Sequence, residues 1–534
     1  MSATLPELCI RFVLEELSND TRSKHTCILI NRHWCMASIH EIWKHPLYYC
    51  QELEQKDRYI QFIDTYIKCL SPQIRESLGL ESNTKTTFDY TTFSQWICPN
   101  GLRSCVKLWL DEKIKQEPDK YSNLLKTENK TIFMIGKALC EHLIINSKKL
   151  IGVQLNQNEI NIFELPQAEK VLSKVTHFIT RFSCEPSRIG KLPNVLSLAT
   201  EISKNIQVLN ITCFNAEKEN DISIRKLSQL IRNQKRLKEF TLTYWNPGFM
   251  NLWTSVLQQY NTLTTIILET IIFNESNPFL LHELGIFKNL QVLTIENCKN
   301  FIFSIKKIDI SNSFRKLKKF TVVMSQPFPR YFIMVILQQS NENLRKVEVI
   351  DMDIKEDVLP YCIKHFTRLL NFSCSINIEN FNLLLSLLKV STNLETLYIN
   401  ELEDYLIEED EDLILFDFLC SLGENFPKSL YYFTFDLDWE FNNDSFSKFL
   451  KICKEKGINF KTLIFAQSGF FNDLYLYELL KFYGDRKLDE LVLHDMNNFS
   501  KECLKEVKKQ VGIVKFAKGY PEKFNLSINF EEDN

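Results

Sequence analysis

A short pattern, Leu-x-x-apolar-x-apolar, recurs after residue 200 and constrains the fold more than any other feature of the chain. The seven clearest copies begin at Leu237, Leu263, Leu290, Leu317, Leu344, Leu369 and Leu394. Their starts are 26, 27, 27, 27, 25 and 25 residues apart. Each copy alternates apolar and polar side chains, which predicts a short, half-buried strand. A unit this short cannot bury its apolar faces alone, so neighbouring units are expected to stack.

Helical spacing fills the intervals between the predicted strands. The clearest set follows the i, i+3, i+4, i+7 spacing of one helix face and comprises Leu476, Leu479, Leu480 and Tyr483. Asn472 is a suitable N-cap before this set, and Gly484 is a suitable stop after it. Looser copies of the strand pattern begin at Leu430, Phe460 and Leu488. The expected fold is therefore α/β, a solenoid with parallel strands inside and helices outside.

One copy resembles the leucine-rich repeat family along its whole length. Residues 290–298 read LQVLTIENC and match the family string L-x-x-L-x-L-x-x-[NC]. Cys298 takes the last position, where a side chain is expected to bond the turn backbone. Leu150 and Val175 begin two degenerate first units. The resemblance covers residues 146–515 and implies a leucine-rich-repeat solenoid.

The first 48 residues follow a different pattern. Leu5-Pro6 opens an apolar helical segment, Ile30-Asn-Arg-His-Trp34 follows it, and Ile42-Trp43 closes the region. In this order and spacing they resemble an F-box. The resemblance implies binding to a Skp-type adaptor, which would join the chain to a cullin scaffold. The residues assigned to adaptor binding are Leu5, Pro6, Leu8, Ile10, Val13, Leu14, Leu17, Ile30, Trp34 and Trp43.

The predicted organisation has four parts. They are an F-box at 1–48, a helical connector at 49–145, the repeat solenoid at 146–515 and a carboxyl-terminal tail at 516–534. The two resemblances together imply a substrate-recognition subunit of an SCF-type E3 ubiquitin ligase, whose repeats bind the target while partner subunits transfer ubiquitin. An alternative stays open, because two short apolar helices could simply cap the array. The chain would then be an interaction scaffold unconnected to ubiquitin ligation.

Strand geometry predicts where a target protein would bind. The apolar positions of each strand point inward, so the intervening residues face the concave surface of the solenoid. The target-binding residues selected in this way are Thr241, Glu269, Glu296, Glu348, Tyr398 and Asp436. Because most of them are acidic, the expected target is a protein segment with basic residues. The run at 401–412, with eight acids and no base, is interpreted either as a solvated loop or as a second capture site for such a segment.

Charge and motif content argue against other functions. Lys and Arg total 64 and Asp and Glu total 67, so the formal charge of −3 favours neither nucleic acid nor an anionic membrane as partner. No phosphate-binding glycine loop, clustered nucleophile and base, or metal-ligand spacing occurs in the sequence. We therefore expect a non-enzymatic protein with no catalytic residue, metal or cofactor. The 16 scattered cysteines and the lack of a secretory leader favour reduced thiols and a cytoplasmic or nuclear location, or both.

Overall fold

The computed structural model of the chain divides into two compact units, Met1–Leu263 and Thr264–Asn534. It describes residues 5–17, 21–45, 47, 56–81, 86–125, 128–156, 160–183, 192–214, 222–245, 249–273, 281–301, 313–325, 328–340, 343–350, 358–377, 380–401, 412–437, 441–465, 470–484 and 486–516. Residues 402–411 of the acidic run and residues 517–534 of the predicted tail lie outside these ranges.

The first unit begins with helices and continues into a parallel sheet. Its helices are α1 (Glu7–Glu16), α2 (Thr21–Ile28), α3 (Arg32–Ile42), α4 (Lys56–Cys69), α5 (Pro72–Ser77), α6 (Pro99–Gln116), α7 (Pro118–Leu125), α8 (Glu128–Asn146), α9 (Ala168–Leu172), α10 (Leu192–Ile202), α11 (Ile222–Arg232) and α12 (Phe249–Leu257). Its strands are β1 (Trp96–Ile97), β2 (Gly152–Asn156), β3 (His177–Ser183), β4 (Val208–Phe214) and β5 (Glu239–Thr243). Each strand pairs in parallel with the next one along the chain.

The second unit alternates strand with helix or irregular chain. Its strands are β6 (Thr265–Glu269), β7 (Val292–Glu296), β8 (Lys319–Val323), β9 (Lys346–Ile350), β10 (Asn371–Ile376), β11 (Thr396–Glu401), β12 (Tyr432–Asp436), β13 (Thr462–Phe465), β14 (Leu488–Leu493) and β15 (Val511–Phe516). Its helices are α13 (Arg330–Ser340), α14 (Val358–His365), α15 (Phe381–Val390), α16 (Asp412–Asn425), α17 (Asn443–Glu455), α18 (Asp473–Tyr483) and α19 (Lys501–Gln510). All of these strands pair in parallel, in chain order.

This architecture confirms the α/β leucine-rich-repeat solenoid. Every clear copy of the pattern gives a strand that begins two residues after its leucine, as β7 does after Leu290. Leu290 is buried, and the next two backbone amides, those of Gln291 and Val292, both donate to Thr264 O, at 2.7 and 3.0 Å. The leucine therefore anchors the turn in the core, and the two hydrogen bonds set the register against the preceding strand.

The sheet of the first unit begins earlier than the repeat pattern indicates. β1 lies inside the stretch expected to be a helical connector, and Trp96 pairs in register with Gly152 of β2. A methyl group on Gly152 would fall 2.6 Å from Cζ3 of the Trp96 ring, so only glycine leaves room for the indole there. The aromatic side chain thus covers the first repeat strand.

The turns after β6, β7 and β8 share one backbone conformation. Thr270, Asn297 and Met324 each follow the last residue of a strand and have left-handed φ angles of 54°, 50° and 47°. The N–H of Thr270 donates to Glu296 O at 2.8 Å, and that of Asn297 donates to Val323 O at 2.8 Å. Each turn is therefore tied to the end of the following strand.

A side chain at the next position closes the turns after β7 and β8. Cys298 Sγ donates to Glu296 O at 3.3 Å, as the family pattern leads one to expect. Ser325 stands 27 residues later and repeats the contact, since its hydroxyl donates to Val323 O at 2.9 Å. The same hydroxyl accepts the buried Cys298 N–H at 3.0 Å, which links the two turns.

Helix caps and an aromatic core complete the second unit. Asn472 Oδ1 accepts the N–H of Leu474 at 3.0 Å and Gly484 ends α18 with a φ of 53°, so both predicted caps are confirmed.

Phenylalanine rings fill the space between strands and helices. Phe446 of α17, for example, lies 6.0 Å from Phe465 of β13 and 5.3 Å from Phe471. Edge-to-face pairs of this kind add about 0.5–1.5 kcal/mol each to the stabilisation that burial provides.

Candidate functional site

The three amino-terminal helices form a small cluster with its own core. Ile10 and Leu14 of α1 are buried against Cys27 of α2 and Ala37 of α3. Leu17 and Trp34 pack against this core and remain partly exposed. α1 therefore turns the side that carries Ile10 and Leu14 inward.

Polar contacts fix α3 and the start of α1. The Asn31 side chain accepts the N–H groups of His33 and Trp34, at 2.9 and 3.0 Å, and so caps α3. His33 lies at the surface, and its Nε2–H donates to Leu5 O at 3.1 Å, because a carbonyl can only accept. This bond holds the chain before α1 against the first turn of α3.

The cluster leaves a broad set of apolar side chains in solvent. Leu8, Phe12 and Leu29 are 64%, 59% and 84% exposed. The complete set, named here the amino-terminal apolar face, comprises Leu5, Leu8, Phe12, Val13, Leu29, Ile30 and Met36. A helix that is apolar on both sides, as α1 is, has a second face to bury against another body.

The residues expected to bind an adaptor fall into three groups. Leu5, Pro6, Leu8, Val13 and Ile30 are exposed. Ile10 and Leu14 lie wholly inside the core, and Leu17 and Trp34 pack against it.

Trp43 forms the third group. Its ring lies 5.4 Å from Phe62, 5.5 Å from Tyr66 and 4.5 Å from Tyr90. It therefore joins the end of α3 to α4 and to the 3₁₀ turn that contains Tyr90, rather than to the apolar face.

Phe12, Leu29 and Met36 belong to the apolar face although they were not among the expected adaptor-binding residues. Phe12 follows Leu8 by four positions, so helical spacing alone places the two on one side of α1. For Leu29 the sequence offers no comparable signal, because it stands in the turn after α2.

The predicted concave residues of the second unit are engaged with their neighbours. Glu348 accepts the Thr321 hydroxyl at 2.6 Å and pairs with Lys346 Nζ at 3.0 Å. The Tyr398 hydroxyl donates to Asp436 Oδ2 at 2.8 Å. These contacts hold the two carboxylates in place and partly neutralise Glu348.

Glu269 and Glu296 stand directly side by side on β6 and β7. Two neighbouring carboxylates repel each other, and a bound cation relieves that repulsion. Thr241 lies in the first unit, where it pairs with Asn210 in register. The structure therefore brings two of the expected acidic residues together and places Thr241 in the other unit.

The described residues contain no group of three or more His, Cys, Asp or Glu side chains that could hold a metal ion. In the same part of the chain, no helix is long and apolar enough to cross a membrane. The described cysteines form no disulfide. Burial raises the pKa of the Cys298 and Cys362 thiols to about 12, which makes them poor nucleophiles near neutral pH.

No protein-family model and no curated protein matches the chain. Among solved structures it is similar to the leucine-rich repeat-containing protein LegL7 from Legionella pneumophila. The likeness covers 59% of this chain and 94% of that chain, with 11% sequence identity and a TM-score of 0.28. Because this score is low, the assignment of the solenoid depends on the repeats and strand register of the chain itself.

Proposed function

We propose that this chain is the substrate-recognition subunit of an SCF-type E3 ubiquitin ligase. Its F-box-like helices bind a Skp-type adaptor, which connects it to the cullin scaffold, and its repeats bind the target protein. The amino-terminal apolar face carries the proposal, because Leu8 and Phe12 stay exposed although Ile10 and Leu14 already fill the local core. Exposed apolar side chains clustered in this way mark binding surfaces.

The proposal assigns different tasks to the residues of this region. Leu5, Leu8, Phe12, Val13 and Ile30 contact the adaptor. Ile10, Leu14 and Trp34 hold the three helices together beneath that contact, and Trp43 orients them against the rest of the first unit.

The target-binding part of the proposal concerns the concave side of the repeats. Solenoids present extended concave surfaces that are suited to binding other proteins. The adjacent carboxylates of Glu269 and Glu296 favour a target segment with basic residues.

One observation favours a second candidate function, that of a scaffold without a ligase. Trp43 packs α3 onto α4, as a helix that simply capped the array would do. A cap, however, needs no exposed apolar face on its outer side, so adaptor binding accounts better for Leu8 and Phe12.

The experiment is a pull-down of purified Skp-type adaptor with the full chain and with the variant Leu8→Asp combined with Phe12→Asp. We expect the wild-type chain to bind and the variant to lose at least about thirtyfold in affinity, since hot-spot residues contribute about 2 kcal/mol or more. Glu15→Ala combined with Glu16→Ala, two exposed substitutions on the same helix, is the matched control and should bind normally. A wild-type chain that does not bind the adaptor at micromolar concentration would refute the ligase function.

A further inference from the structure

A concavity rimmed by lysines lies in the first unit, at the edge where β2 and β3 begin. Lys148 and Lys149 follow α8, Lys170 is on α9, and Lys174 precedes β3. All four side chains are exposed. The residues that line the concavity include no Asp and no Glu, and among the described residues none of these lysines forms an ion pair.

Apolar residues, here called its floor, also line this lysine-rimmed concavity, together with the polar residues Ser147, Gln167 and Thr176. Ile145 is exposed, and Ile151 and Val171 are half-buried. Ile144 and Leu150 lie beneath them in the core. The lining thus combines positive charges with an accessible apolar floor, so the concavity can accept an anionic ligand that also carries an apolar group.

The backbone beneath the concavity is held by the sheet. Ile151 N–H donates to Gln95 O at 2.8 Å, and Thr176 N–H donates to Ile151 O at 2.9 Å. Gln167, on the rim, has a left-handed φ of 63° that residues other than glycine seldom adopt. The backbone of the site is therefore ordered by the sheet, which lowers the backbone ordering cost of binding.

We infer that this concavity binds an acidic segment of a partner protein, with carboxylates on the lysine rim and an apolar side chain on the floor. Four ammonium groups around one opening repel one another, and carboxylates relieve that repulsion. A purely anionic ligand would leave Ile145, Ile151 and Val171 in water, whereas an acidic segment that contains leucine covers them.

The lining also argues against single-stranded nucleic acid as the occupant. Single-stranded nucleic acids bind on aromatic side chains, on which their bases stack. The residues that line this concavity include no aromatic side chain. A protein segment therefore fits both the charge and the floor.

The inference goes beyond the proposed ligase function and does not depend on it. It concerns residues outside the amino-terminal apolar face, and its test requires no adaptor. A chain that fails to bind an adaptor could still bind an acidic segment here, and the reverse also holds.

The test measures fluorescence anisotropy of a labelled peptide of about eight residues, glutamates with two leucines, titrated with the full chain. We expect micromolar binding at low salt that weakens as salt is added. Lys170→Glu combined with Lys174→Glu should weaken binding at least about tenfold, because it reverses two of the four rim charges. Ile145→Ser should weaken it about threefold, and replacing the leucines of the peptide with glycine should have a similar effect.

The matched control is Lys130→Glu combined with Lys137→Glu, two exposed lysines of α8 that do not line the concavity. It changes the net charge equally and should leave peptide binding within about twofold of wild type. Far-ultraviolet circular dichroism checks that each variant is folded. Equal loss in the control, no loss in Lys170→Glu with Lys174→Glu, or tighter binding of a single-stranded RNA than of the peptide would each overturn the inference.

Discussion

The ring of His45 lies where the end of the amino-terminal helices meets the first strands. It is 5.3 Å from the Trp96 ring, which in turn is 5.6 Å from the ring of His177. Burial lowers the pKa of His45 to about 4, and the charges of Lys44 and His177 add to that effect. Near neutral pH the His45 side chain is therefore uncharged, and its ring packs against the ring of Trp96.

We expect this histidine to make the fold sensitive to mild acid. The pKa of His45 is about 4 in the folded chain and 6.5 when unperturbed. Between these values the unfolded chain binds more protons, so the free energy of unfolding decreases as the pH falls from 6.5 towards 4. His45→Gln removes the titrating group and should reduce the loss of Tm between about pH 7 and about pH 4.5, measured by circular dichroism.

The exposed residue His25 provides the control, since His25→Gln should leave the acid-dependent loss of Tm unchanged. An identical loss in His45→Gln and in the wild-type chain would show that His45 does not determine this sensitivity.

Single positions differ in how well the sequence indicates their structural task. Cys298 could be assigned because its unit matches the family string throughout, and its thiol makes the expected turn contact. Ser325 makes the equivalent contact, but serine is not the residue that the string specifies there. A short hydrogen-bonding side chain at the last position of the string is the signal that would have identified it.

At the scale of elements, the packing of β1 on β2 depends on one missing side chain. Gly152→Ala would place a methyl group 2.6 Å from the Trp96 ring, so the indole would have to move. We expect a loss of about 1–3 kcal/mol in the free energy of unfolding, as overpacked sites usually show. Urea denaturation followed by near-ultraviolet circular dichroism measures this loss.

Two further variants test the cause. In Gly136→Ala the new methyl group would lie 3.3 Å from the flexible end of Ile160 and would favour the helix, so we expect little change in stability. Trp96→Leu combined with Gly152→Ala should be more stable than Gly152→Ala with Trp96 intact. If Gly152→Ala alone is as stable as wild type, the close contact with Trp96 is wrong.

The strands of the repeats could be predicted because each one meets the same environment. A leucine anchors the turn before each strand from β5 to β11, so one pattern predicts all seven of them. β1 could not be predicted in this way, because it has two residues and depends on Trp96 rather than on a leucine. The exposed side of α1 was equally hard to predict, since Ile10 and Phe12 are both apolar and only the packing of α2 and α3 decides which one is buried.

At the scale of the whole molecule, the net charge is small, but charges of one sign lie together at particular places on the surface of the repeats. The net charge is only −3, yet Glu269 and Glu296 stand side by side on neighbouring strands. We expect Glu269→Lys combined with Glu296→Lys to reduce recovery of the target at least about tenfold in affinity purification followed by mass spectrometry.

Glu455→Lys combined with Glu502→Lys, at exposed positions of α17 and α19, changes the net charge by the same amount and serves as the control. Undiminished target recovery in Glu269→Lys with Glu296→Lys would place the target site elsewhere on the chain.

The shared conformation of the turns at Thr270, Asn297 and Met324 determines how this protein can change length. Excising residues 270–296 would remove one repeat of 27 residues and join Glu269 to Asn297. Asn297 has a left-handed φ like that of the Thr270 it replaces, and the next strand along the chain would then be β8. Losing a single residue inside β7 would instead turn every later side chain of that strand to the opposite face. Duplication and loss of entire repeats are therefore the changes in length that such a chain tolerates during evolution.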